Sequence, residues 1–212
     1  MKKTALSVTL RITFVALFAA LICAGCFISI PLPGGVPITL QNMFSFLAGT
    51  ILGSFWGVLS VAIFILLGIL GIPVFSGMKS GFAHLLGATG GFLWGYLLGA
   101  FLAGLILGLP KIEEKKFSVL NILKIAFAYF IALICNYVPG IIWFIVSKGG
   151  LSDSMTLHQV LLWTLIPFIP GDIIKWIVAI PVTALLRPLA ARYFYVSDSD
   201  DEKRALEELK NS

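Results

Sequence analysis

Read for polarity alone, the chain is a series of apolar blocks at about 11–30, 38–54, 56–72, 89–109, 118–147 and 159–191. No charged residue occurs between Arg11 and Lys79. A charge-free interval of that length exceeds any core segment of a soluble domain and holds several membrane passes, since one helical pass needs about 20 residues. Three of the blocks are long and clear. The interval 38–72 fits either one tilted helix or two short ones, and "GSFWG" (53–57) offers a tight turn in its middle.

Charge placement decides between the two. Lys2, Lys3 and Arg11 flank the first block, Lys111, Lys115 and Lys116 follow the fourth, and Arg187 and Arg192 end the last. Two short helices over 38–72 put all three groups on one side, as the positive-inside rule requires. The expected fold is therefore an all-α integral membrane protein of six transmembrane helices, the second and third short, with both termini cytoplasmic. Residues 1–196 form the membrane-embedded domain and 197–212 a charged cytoplasmic tail. Two Gly- and Pro-rich stretches, "PLPGGVPITLQN" (31–42) and "GIPVFSGMKSGFAHLLGATGG" (71–91), cannot be simple helices. Irregular backbone near membrane depth must line a cavity or be buried in protein, so both stretches are expected to cover an outward-facing pocket.

Composition agrees with this reading. Of 212 residues, 59% are hydrophobic and only 12% charged, about half of what a soluble surface uses. The net charge of +5 is read as anchoring charge, with no nucleic-acid partner. The three cysteines lie in apolar segments, and neither Cys23-x-x-Cys26 nor His84 and His158 forms a redox or metal motif. No P-loop is present, so the chain itself does not hydrolyse ATP. Ser80 and His84 leave an intramembrane hydrolase as the weaker alternative. Alanines 16, 20 and 24 and glycines 49, 53, 57 and 91, 95, 99 recur every four residues, a spacing that lets helix backbones approach. For the glycines the reading is internal packing.

Asp172 and Lys175, in "PFIPGDIIK" (167–175), are the conspicuous chemistry. An ionised group in a membrane helix costs several kcal/mol, roughly 3 on insertion scales, and marks a functional site by default. Three residues apart, the two share a helix face. A structural ion pair is the competing reading. As a binding pair, Asp172 accepts from N–H donors and Lys175 meets a carboxylate, with Phe75, Tyr137, Trp143 and Phe168 as apolar walls. The ligand implied is small, largely apolar, with N–H groups and an anionic end.

Four motifs, "VPITLQ" (36–41), "GIPVFSG" (71–77), "GATGGFLWGY" (87–96) and "PFIPGDIIK", occur in an order and spacing that resembles the BioY family. These are biotin-specific substrate-binding (S) components of energy-coupling-factor (ECF) transporters. Ala88 stands where that family commonly has proline. The resemblance implies a six-helix protein of the bacterial cell membrane that binds biotin from outside. It implies ligand-binding roles for Thr39, Gln41, Phe75, Thr89, Gly90, Tyr137, Asp172 and Lys175. It also implies docking through Ala16 and Ala20 to a transmembrane coupling protein that works with two ATPase subunits. Biotin is then the cargo, and no cofactor or metal is expected; an S component for another vitamin is the nearest alternative.

Overall fold

The computed structural model describes residues 2–32, 36–112, 117–152 and 155–192. Lys115, Lys116, Asp153 and the expected tail at 197–212 lie outside the described residues.

Helices follow the apolar blocks: α1 is Lys2–Ala24, α2 Gln41–Leu52, α3 Ser54–Ile69, α5 Gly90–Leu107 and α6 Val119–Ser147. A short helix, α4, Phe82–Leu86, stands in the glycine-rich stretch before α5. The last block divides into α7, Leu157–Thr164, a 3-10 turn over Ile166–Phe168, and α8, Ile169–Ala190. Pro167 and Pro170 place that division, and Pro170 sits in the first turn of α8, where a missing N–H is tolerated. At the start of α7, Thr156 and Gln159 form a reciprocal capping box.

The interval 38–72 is two short helices. Gly53 separates them at φ +82° and ψ 171°, a conformation essentially confined to glycine. The all-helical expectation misses one feature. Ser29–Ile30 (β1) pairs antiparallel with Ile38–Thr39 (β2), Ser29 opposite Thr39 and Ile30 opposite Ile38. Pro31 and Pro37, in the connection between the two strands, bar helix there, and the pairing satisfies backbone groups that lipid would leave unbonded.

Three helical stretches are long and apolar enough to cross a membrane: Gly90–Leu107, Val119–Ser147 and Leu157–Ala190. Ser54–Ile69 and the Val8–Ala24 part of α1 are apolar but shorter. The outer surface is correspondingly greasy; Phe127, Phe130, Ile134 and Val138 are exposed along α6.

α5 runs through the middle, and its glycine face is why. A Cβ at Gly95 would meet Asn136 Cα at 2.7 Å, one at Gly91 the Trp143 side chain, and one at Gly99 the Phe46 ring. On the other side Gly49 lies against the Ala100 backbone and Gly57 against Gly49. Both glycine series pack within the chain.

A buried polar cluster is built around the end of α8. Arg187 is 1% exposed. Its guanidinium donates to the carbonyls of Thr50, near the end of α2, and of Leu107 and Gly108, at the end of α5. Thr50, Tyr129 and Thr183 close a triangle of hydroxyls at 3.1–3.3 Å beside it. Arg187, which ends the last apolar block in sequence, is thus a helix-end cap inside the fold.

Candidate functional site

Among the described residues Asp172 is the one acidic side chain. It stands in the first turn of α8 and is 5% exposed, with Lys175 one turn on at 9%. Lys175 Nζ donates to Asp172 Oδ1 at 3.0 Å and to Asn42 Oδ1 at 3.0 Å. Asn42 Nδ2 donates to the same Asp172 oxygen at 3.1 Å. The Tyr137 hydroxyl, from α6, donates to Asp172 Oδ2. Three helices therefore meet on one neutralised pair. The sequence positions them simply: α2 starts at Gln41, so Asn42 lies in its first turn facing the first turn of α8.

Next to this cluster lies a partly open cavity of about 480 Å3, its opening included. Its lining is polar at Asn42, Lys175, Tyr137, Tyr96, Asn136, Ser76, His84 and Thr89 and apolar at Val36, Phe92, Leu93 and Phe168. Tyr96 also interacts with Thr39, another lining residue. Asn136 is 3% exposed and its Oδ1 has no hydrogen-bond partner. A buried unpaired acceptor costs about 1–3 kcal/mol, so it favours a ligand that supplies a donor.

The whole of residues 1–192 matches the model of the BioY family. The chain is 39% identical over 176 residues to "Biotin transporter BioY" of Thermotoga maritima, covering 82% of this chain and 93% of that one. It is 37% identical over 189 residues to the protein of the same name from Rhodobacter capsulatus, covering 86% and 94%. A crystal structure of the S-component for biotin from an ECF-type ABC transporter superposes with a TM-score of 0.70 at 32% identity, over 84% of this chain and 90% of that one. The chain belongs to the BioY family.

In this BioY-family chain the residues expected at the site fall into two layers. Thr39, Thr89, Tyr137 and Lys175 line the cavity. Asp172 stands directly behind Asn42, Lys175 and Tyr137, holding all three by hydrogen bonds. Gln41, Phe75 and Gly90 are further back. Gln41 is fully buried, and its Nε2 donates to Val74 O at 2.7 Å and Ile22 O at 3.4 Å, tying α1 to the segment after α3. Phe75 packs against Gly68 and Phe64 and stacks on the His84 ring, centroids 5.2 Å apart. Gly90 sits against the Leu85 carbonyl. Trp143, named as a wall, donates to Gly87 O at 3.0 Å and helps set the turn into α5.

Asn42, Tyr96 and Asn136 were not singled out from sequence. Each is a polar group in or at the edge of an apolar block, the same signal that revealed Asp172 but without the charge that makes it loud. Ser80 and His84 do not form a nucleophile–base pair. Ser80 is exposed, and His84 Nε2 is engaged at 3.2 Å by the Thr89 hydroxyl.

Proposed function

We propose that the chain is the biotin-binding S component of an ECF-type transporter, capturing biotin outside the cell and delivering it inward. One observation carries the reading: a cavity in a BioY-family fold has at one side a buried Asp172–Lys175–Asn42–Tyr137 cluster. The ureido head of biotin offers two N–H donors and a carbonyl, and its thioether ring and chain suit the apolar walls. Lys175, Asn42 and Tyr137 meet the head directly. Asp172, behind them, fixes all three by hydrogen bonds and balances the Lys175 charge. Thr39 closes the near wall, and Gln41, Phe75 and Gly90 hold the loops in shape around the ligand. Thr89, at the head of α5, lies towards the carboxylate.

The membrane arrangement is six passes, α1, α2, α3, α5, α6 and the α7–α8 stretch, with cytoplasmic termini in a bacterial plasma membrane. Lys2, Lys3, Arg11 and Lys111 support that orientation, and the tail 197–212 is then cytoplasmic. Ala16 and Ala20 are exposed on α1, while Val15, Phe18, Ala19 and Ile22 of the same helix are buried. This small outward face docks a transmembrane coupling protein, and two ATPase subunits on that partner supply the energy. The chain needs no cofactor of its own and is not an enzyme.

The test is equilibrium binding of radiolabelled biotin to the purified protein. Saturable binding at submicromolar biotin is expected; its absence, with tight binding of another vitamin, would transfer the reading to that vitamin. Ser80→Ala should leave binding unchanged.

A further inference from the structure

The charge on Lys175 is already answered by Asp172, at 3.0 Å inside the cluster. An anionic ligand end therefore needs another partner. The cavity supplies a second polar group away from the first. His84 and Thr89 both line it and touch each other, Nε2 to Oγ1 at 3.2 Å, and Ser76 lines the same cavity. The Thr89 hydroxyl does not cap its own helix; its partner is the His84 imidazole, so the two side chains form one polar unit on the cavity wall. The imidazole is fixed by near-parallel stacking on Phe75, itself fully buried. Along α5, Thr89 at its N-cap and Tyr96 are seven residues apart, roughly 10 Å at the helical rise, and Tyr96 lies within electrostatic reach of Asp172. The two polar groups thus sit at opposite ends of an elongated cavity.

We propose that His84, with Thr89 and Ser76, is the subsite that reads the carboxylate end of the ligand. This deepens, and rests on, the reading of biotin as cargo. The field there suits an anion. Lys79, held next to Phe75 by a backbone bridge, is the charged group acting on His84. Thr89 faces it as a neutral hydroxyl, and Ser76 lines the same cavity. The titratable groups across the cavity are Tyr96, Tyr137 and Lys175, the last already neutralised.

Burial, and after it the charge of Lys79, hold the imidazole below its ordinary value of 6.5. It is therefore mainly neutral at pH 7 and donates one N–H. A carboxylate seated against it favours the imidazolium, so binding takes up a proton. Affinity then rises as pH falls and is lost as pH rises through the bound-state pKa.

The experiment measures biotin affinity of the purified full chain between about pH 8 and about pH 5.5, where the ligand's carboxyl stays ionised. Biotin is compared with its primary amide, which keeps the head and removes the charge. Wild type should bind biotin about three- to tenfold tighter at the low end, and the amide with no such gain. His84→Gln keeps a donor for the carboxylate but cannot titrate; it should flatten the profile and narrow the preference for biotin over the amide, with head recognition intact. A pH-independent wild type would overturn the proposal, as would an unchanged profile in His84→Gln. A flat profile with the amide still rejected would assign the carboxylate to Lys79 instead. Failure of wild type to bind biotin at any pH would remove the underlying reading itself.

Discussion

At the scale of single residues, the site is a lesson in which polar groups a membrane helix tolerates. Asp172 and Lys175 neutralise each other, and Asn42 bridges them by donating to one and accepting from the other. Removing one charge strands the other in a buried place, which is costly. Asp172→Asn should weaken biotin binding by at least about tenfold, or about 1.4 kcal/mol, while the protein stays monodisperse in detergent. Isothermal titration checks the first and size-exclusion chromatography the second; unchanged affinity would mean the pair is only structural. Asn42→Leu should do nearly as much, because both Lys175 and Asp172 lose a hydrogen-bond partner. The charged pair was legible in the sequence because nothing else charged lies near it. Asn42 and Asn136 were not, since a neutral amide in an apolar block is a weaker departure from expectation. The layer in which Gln41, Phe75 and Gly90 stand was not legible either. Motif spacing says that these residues are near the site, but the rotation of a helix or the path of a loop decides which side chains reach the cavity.

At the scale of elements, glycine governs what can approach what. The split of 38–72 was readable from the positive-inside count and the "GSFWG" turn, and the structure puts the break at Gly53 with φ +82°. An alanine there must adopt a conformation that costs about 1–3 kcal/mol. Gly53→Ala should therefore lower thermal stability by that amount with binding retained, read by unfolding in detergent with and without biotin. Gly95 is different: it fails by contact, not by backbone angle. Its missing Cβ admits Asn136 of α6, and a leucine would have to push α6 away at the level of the cavity wall. Gly95→Leu should lose binding and stability together. The two-residue β ladder was not foreseeable from periodicity, because an element so short has no period; only the flanking prolines hinted at extended backbone.

At the scale of the whole molecule, two buried polar centres divide the labour. One, around Asp172, faces the cavity; the other, around Arg187, joins the ends of α2 and α5 to α8. Sequence alone counted Arg187 as a topological charge, since it stands where cytoplasmic cations are expected, and only packing reveals the carbonyls around it. Arg187→Met would leave those carbonyls unpaired, at about 1–3 kcal/mol for each buried group, and should lower the unfolding temperature well below wild type. Biotin separates the two centres. A ligand that binds only the folded form at a hundred times its dissociation constant adds about 2.7 kcal/mol of apparent stability. Arg187→Met should start from a lower unfolding temperature yet gain nearly the full biotin shift, because its cavity is intact. Asp172→Asn should show a much reduced shift at the same biotin concentration. If instead Arg187→Met abolished the shift while Asp172→Asn preserved it, binding would depend on how the helix ends are joined and not on the polar cluster beside the cavity.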